Sequence, residues 1–456
     1  MTDGHEPSSH EATETAAYGR RAFLGRTGKL IAGAALAGSF ADVASASGFL
    51  KGSEAATGKL DVWYLTGSPQ ETKYVTHLTS MYGGHHALKT SVTPYDYDPM
   101  NRALKLALSS HRGPDVAYAN PSPDDEFVYQ KNKWIIDLNP LVKKYGWDKR
   151  LSPSVMNYWG TLCCGGNTPR TGIPFDLTAV DWFYNPKIFA KYGLKAPTTF
   201  PQLESLLATL KSKGVTPIGV GGLHVGNPGS VSYVFQQVVH QTVSRSLLQR
   251  LQLRDPTASW DNPGIVQAAT IVQNWAKKGY LSQNVLALSG SDADAAFLNG
   301  ESAMIINGTW KNQQYLAGTE FSPRFFPTPR IDTSRPWVMG GYSPNNVWMI
   351  NSHARSQKTA ASYLDYMLGE QVATTLWNNS DIPAYRFKKT PKPRSQLQAD
   401  VYAAMGKTQT GFFLANVGGV FTTQYNPTLD KLWSLSISPQ ELAKEFQSNY
   451  KQTLSG

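Results

Sequence analysis

Apolar positions in this chain recur with two periods, and the switches between them mark out its elements. "KLDVWYLT" at 59–66 alternates and ends on a polar tip, which is strand behaviour. "TSVTPYDYD" (90–98) is a second extended segment, and "NRALKLALSSHRGPDVAYAN" (101–120) reads as a helix, a Gly-Pro break and a buried strand from Asp115. Strand, helix, strand, helix predicts a mainly parallel sheet with helices on its faces. Further on, Thr199 caps a helix with Pro201 in its first turn, an apolar stripe of Leu203, Leu206, Leu207 and Leu210, and Gly214 at its close. "VTPIGVGG" then reads as the next strand. Asp261-Asn262-Pro263 opens another helix, carrying Ile265, Ala268, Val272 and Trp275 on one face and ending at Gly279. "KTAASYLDYMLGEQV" (358–372) makes one more, packing Ala360, Tyr363, Leu364, Met367 and Leu368. In "AAFLNGESAMIINGTW" (295–310) a helix-like half breaks at Asn299-Gly300. An apolar strand then runs through Ala303-Met304-Ile305-Ile306 into a glycine turn tipped by Trp310.

Length and composition sharpen this picture. With 456 residues the chain is long for one core, so two globular lobes are expected. Its 12 Trp, 22 Tyr and 18 Phe suit a surface that grips something flat and amphipathic, although any single ring is first of all a core residue. At the N-terminus, Gly19-Arg20-Arg21-Ala22-Phe23-Leu24 precedes a weakly apolar run from Leu30 to Phe40 and the small-x-small site Ala44-Ser45-Ala46. That order predicts an export signal over 1–46 of twin-arginine type, followed by a flexible leader over 47–58. The apolar run is too short for a membrane span. No Cys follows it, so a free protein in the periplasm or cell exterior is expected, not a lipid-anchored one. Removing 1–46 takes four basic and five acidic residues, leaving 39 basic against 28 acidic. The cations are scattered and no basic run interleaves with aromatics, which argues against nucleic acid. Cys163 and Cys164 are adjacent, and either a strained vicinal disulfide or two thiols fits.

Catalytic constellations are missing. His85-His86 sits in a Gly-rich stretch read as a turn, with no carboxylate or Cys at ligand spacing, so no metal is expected. The glycines of "GVGGLHVGNPG" (219–229) miss the dinucleotide spacing, and "GYSPN" (341–345) lacks the second Gly of a nucleophile elbow. Nothing pairs Asp124-Asp125 or Asp176 as a glycosidase would. No catalytic residue and no cofactor is therefore expected.

The whole chain from 59 to 453 resembles the family 1 extracellular solute-binding proteins of carbohydrate ABC transporters, the group of maltose-binding protein. "AAFLNGESAMIINGTW" carries the likeness most closely, through its phenylalanine, Gly-Glu-x-Ala-Met, apolar strand and "NG-x-W" block. "SSHRGPDVAYAN" (109–120), "GIPFDLTAVDWFYNPKIFAKYGLKAPTTFPQLESLLATLK" (172–211), the segment 338–385 and "ISPQELAKEFQSNYKQTL" (437–454) follow in the same order. The resemblance implies an α/β, two-lobe periplasmic-binding-protein fold (type II), with hinge strands crossing between the lobes. Lobe 1 is expected over 59–174 plus 343–372, and lobe 2 over 175–342 plus 373–456. It implies a monomeric protein that performs no chemistry, captures a mono- or oligosaccharide in the cleft and hands it to ABC permease membrane subunits. A secreted carbohydrate-active enzyme and a surface glycan binder are the rival readings.

Carried over residue by residue, Trp310 is the stacking platform, because an indole covers the apolar face of a sugar while short polar groups bond its hydroxyl rim. Thr66, Ser68 and Gln70 lie in the loop after the first strand, and Asn120 ends a strand at the cleft mouth. Phe175 and Asp176 follow the first crossing at Pro174, where Asp176 is placed to take two hydroxyls. Gly341 and Tyr342 lie on the return crossing, with close backbone approach as the glycine's purpose. Asp381 precedes Ile382-Pro383.

Overall fold

The computed structural model describes residues 58–455 except 154, 157–169, 223–229 and 345. The expected signal, the leader up to residue 57 and the Cys163-Cys164 pair lie outside the described residues. In chain order the strands are β1 (Gly58–Leu65), β2 (Leu88–Tyr95), β3 (Val116–Ala119), β4 (Gly172–Ile173) and β5 (Asp176–Thr178). Then come β6 (Val180–Tyr184), β7 (Thr216–Gly219), β8 (Ser302–Gly308), β9 (Arg324–Phe326) and β10 (Val338–Met339). Last are β11 (Ser343–Pro344), β12 (Val347–Ile350), β13 (Ile382–Pro383) and β14 (Gln409–Thr410).

Two sheets carry the two lobes. The first has the order β2-β1-β3-β12-β4 and the second β7-β8-β6-β9. The expectation of a mainly parallel arrangement holds for β1 with β2 and β3, and for β7 with β8. It fails elsewhere: β12 runs antiparallel to both β3 and β4, and β6 runs antiparallel to β8 and β9. The cause is topological. β12 enters the first sheet from the other lobe, without the crossover helix that a parallel pairing requires. The inner strands β3, β8 and β12 are buried along their whole length, so they read as unbroken apolar runs and not as alternations.

Helices start where the sequence caps them. Thr199 and Gln202 form a capping box at Phe200–Ser212, and Leu203, Leu206, Leu207 and Leu210 are its buried stripe. Asn262 caps Pro263–Lys277 by accepting from the Gly264 N–H. The expected helix over 358–372 is two helices, Gln357–Met367 and Glu370–Asn378, because Gly369 takes an extended conformation between them. The Gly83-Gly84-His85 stretch, read as a turn, lies inside the helix Pro69–His85. A Cβ on Gly83 would come within 2.7 Å of Thr90, so the glycine there lets the helix approach β2 closely.

Leu60, Val62, Tyr118, Trp348 and Ile350 anchor the first core, and Trp182, Leu207, Ile218, Trp275 and Ile306 the second. Between the sheets, β5 pairs antiparallel with β11 on one side and β13 on the other, which is where the chain crosses. Val372 and Leu376 pack into the first core, and so does Ala384 beyond β13, where Tyr385 bridges to Leu151.

Candidate functional site

Strand β8 ends on Gly308, and the next three residues form a single tight turn that presents Trp310. The backbone of Gly308 is ordinary, with φ −90°. What demands glycine is space, since a Cβ there would stand 2.2 Å from the Trp310 ring, which folds back over it. Thr309 clamps the turn to the second sheet: its N–H donates to the Ala179 carbonyl at 2.9 Å, and its hydroxyl accepts from the Ala179 N–H at 3.1 Å. The indole is half-buried, with the Tyr233 ring edge-on at 6.1 Å and Phe413 tilted at 6.3 Å. Three rings thus make one apolar wall.

That wall faces a cavity of about 370 Å³, towards the small end of the usual range of ligand sites. Across it stand Thr66 after β1, Asn120 after β3 and Asn346 before β12. Because β1 and β3 run parallel, their carboxyl ends open on the same side, the position at which α/β sheets bind ligands. The Asn120 amide is oriented by donating to the Tyr97 hydroxyl at 3.0 Å, and Tyr97 also lines the cavity. Burial pushes the Tyr97 and Tyr233 hydroxyls well above the usual phenol range, so both act as neutral groups. Among the described residues lining the cavity, the charged ones are Asp96, Asp294 and Lys311. Lys311 pairs with Asp294 at 3.0 Å and donates to Gln314 at 3.0 Å, so its charge is largely spent inside the protein.

Beneath Trp310 lies a second, narrow space lined by Glu71, Asp176 and Asp381. Each carboxyl takes a tyrosine hydroxyl: Tyr64 donates to Glu71 at 2.5 Å, Tyr118 to Asp176, and Tyr74 to Asp381 at 2.9 Å. Gln313 also donates to Asp381 at 2.9 Å, tying the Asn312–Gly318 helix to the approach of β13. Burial, opposed by the Tyr64 hydrogen bond, raises Glu71 to about 7. Burial first, then the charges of Glu71 and Asp176, push Asp381 well above the carboxylate range. At the crossing between lobes Glu71 and Asp381 are thus shifted towards their protonated forms, and all three acids accept from tyrosine hydroxyls.

Thr66, Asn120 and Trp310 come together around the cavity, with Asp176 and Asp381 one layer below. The remaining expected site residues stand elsewhere. Phe175 is 2% exposed and meets Tyr118 and Trp348 edge to face at 4.8 and 5.5 Å, so it is a core ring of the first lobe. Ser68 is the N-cap of Pro69–His85 and accepts from the Glu71 N–H, while Gln70 points into solvent. Gly341 has φ +67° and a Cβ there would lie 2.7 Å from Val180, so it is a packing glycine; Tyr342 leans on a core cluster. The reading from sequence missed Tyr97, Tyr233, Asn346 and Phe413. Tyr233 lies in the helix Ser230–Thr242 among apolar neighbours and Phe413 in irregular chain, so no periodicity singles either out; the available sign for Phe413 is its stretch "GFFLAN", which opens on glycine.

Comparison with known proteins agrees with this geometry. The family model of the bacterial extracellular solute-binding protein matches residues 82–374, well over half the chain, and the chain belongs to that family. A protein of Rhizobium meliloti described as a "Probable sugar-binding periplasmic protein" is 24% identical over 197 residues, 42% of this chain and 45% of that one. One of the same description in Mesorhizobium japonicum is 23% identical over 210 residues, again 42% of this chain and 45% of the relative. The chain thus spans about half the length of these curated relatives. The solved structure of a chitin oligosaccharide binding protein superposes with a TM-score of 0.73 at 17% identity, covering 87% of this chain and 99% of the other. The two-lobe α/β fold is therefore that of periplasmic sugar-binding proteins.

Proposed function

We propose that this chain is the substrate-binding component of an ABC importer and captures a neutral mono- or oligosaccharide by cleft closure. The observation that carries the proposal is Trp310, half-buried, facing Thr66 and Asn120 across a cavity of about 370 Å³. Stacking on the indole holds the apolar face of a sugar ring, and the short polar groups opposite bond its hydroxyls. The paired state of Lys311 and the presence of Asp96 disfavour anionic sugars. The names of the matched relatives point to the same ligand class.

In this reading residues 1–46 direct export through the twin-arginine route, and the mature monomer works outside the cytoplasm. Lobe 1 is residues 59–174 plus 343–372, extended through about residue 386 by Leu376 and Ala384, which pack on it, and lobe 2 is the rest of the chain after residue 174. Closure bends the chain at β5, β11 and β13, and the closed form is delivered to permease subunits that spend ATP. No bond of the sugar is broken in this reading; Glu71 and Asp381, in the space beside Trp310, are engaged by tyrosine hydroxyls. A thermal-shift screen over neutral sugars, polyols and sugar phosphates tests it. Stabilisation by a neutral sugar alone is the expected result, and stabilisation by sugar phosphates alone would contradict it.

A further inference from the structure

Two side chains on the second lobe's side of the cavity each carry one buried polar atom without a partner. Gln236, on the helix Ser230–Thr242, is 3% exposed, and Tyr425, on the helix Gly419–Trp433, is 1% exposed. Both line the cavity that holds Trp310. The Gln236 side-chain oxygen accepts from the Leu414 N–H at 3.1 Å, which fixes the amide, yet its Nε2 finds no partner. The Tyr425 hydroxyl finds none either. Its ring is locked in place, stacked on Phe446 at 5.2 Å and tilted against Phe421 at 5.7 Å.

Buried donors of this kind are ordinarily satisfied, and leaving one unpaired costs stability. The neighbouring amides of the same helix follow that rule. Gln237 donates to the carbonyls of Val180 at 2.6 Å and Gly340 at 3.1 Å, and Gln241 donates to that of Val338 at 2.8 Å. The indole nitrogens of Trp260, Trp348 and Trp433 and the Gln252 amide nitrogen also lack partners, but none of these residues lines the cavity. Gln236 and Tyr425 are lining residues of the cavity, with their unpaired atoms just beneath its surface. Neither carries charge, because burial alone pushes the Tyr425 hydroxyl far above the usual phenol range.

We infer that Gln236 Nε2 and the Tyr425 hydroxyl are the specificity pair of the site, reading a neutral oxygen acceptor, a hydroxyl or carbonyl, on the sugar's inner end. This rests on the carbohydrate reading given above. A site built around such donors rejects an analogue that lacks the oxygen, because the protein groups are then left desolvated and unpaired. Trp310 supplies affinity for any ring; this pair decides which ring.

The test is calorimetric titration of the mature protein with D-glucose, D-galactose, D-xylose, maltose, cellobiose and chitobiose, then of Tyr425→Phe and Gln236→Met with the tightest of these and its singly deoxygenated forms. Tyr425→Phe is expected to lose tenfold or more in affinity while its ligand-free Tm stays equal or rises, since only an unpaired hydroxyl is removed. The deoxy sugar that binds the natural protein worst is expected to bind Tyr425→Phe no worse than the parent sugar does. Affinity unchanged within twofold in both variants would overturn the inference alone, as would a fall in Tm of the ligand-free Tyr425→Phe protein together with affinity. Failure of the natural protein to bind any of the six sugars would overturn the carbohydrate reading and this inference with it.

Discussion

Gly67 and Trp310 touch across the cleft: a Cβ on Gly67 would stand 2.9 Å from the Trp310 Cβ and 3.3 Å from its carbonyl oxygen. Gly67 follows β1 of the first sheet and Trp310 follows β8 of the second, so the two lobes meet here backbone to backbone. Gly67→Ala therefore wedges a methyl into the contact. We predict a loss of about tenfold in sugar affinity, roughly 1.4 kcal/mol, with little change in ligand-free Tm. Calorimetry checks the first part, and small-angle scattering with saturating sugar checks for a less compact bound form.

Gly308→Ala attacks the same indole from below. The added methyl would collide with the ring at 2.2 Å, so Trp310 must leave its place over the strand end although it is still present. Binding should weaken about as much as when the indole is removed, and overpacking should cost about 1–3 kcal/mol of stability in urea unfolding. Wild-type affinity in this variant would show that the position of the ring is irrelevant.

Asp181 lies fully buried on β6, accepting from the Thr328 hydroxyl at 2.6 Å, and burial raises its carboxyl to about 8. The folded protein keeps that proton where the unfolded chain has released it, so the stabilisation is present at low pH and is lost as pH rises towards 8. Glu71 and Glu126, both raised by burial to about 7, add to the slope below neutrality. His240 works the other way but only in acid: burial lowers it to about 4, so it destabilises below its ordinary 6.5. From pH 6.5 to 8 unfolding free energy should fall by roughly 3 kcal/mol, and Asp181→Asn should remove about half of that fall. A slope unchanged in Asp181→Asn would refute the assignment.

Thr199→Ala removes a capping box from a second-lobe helix that lines neither space beside Trp310. Stability should drop by about 1 kcal/mol and sugar affinity should stay within twofold, which separates folding effects from cleft effects. Paired urea melts and titrations decide it.

What the sequence made legible follows from how local each feature is. The Thr199 cap, the leucine stripe behind it and the strand carrying Ala303 to Ile306 are set by neighbours within a turn or two, so pattern alone finds them. Trp310 was legible because a glycine and an apolar strand precede it directly. Tyr233, Phe413, Gln236 and Tyr425 reach the same cavity from three separate stretches of chain, and only the tertiary fold shows that they share it. Phe175 misled for the opposite reason. It directly follows the crossing at Pro174, but its ring turns into the first core and only Asp176 beyond it faces the crossing.

The central claim is that Trp310 forms one wall of a carbohydrate site. Titration of the mature natural protein and of Trp310→Ala with the tightest-binding neutral sugar, followed by calorimetry, tests it most directly. The account predicts a loss of at least about tenfold, roughly 1.4 kcal/mol or more of stacking and burial, in a protein that remains folded. Equal affinity in the two proteins would contradict it.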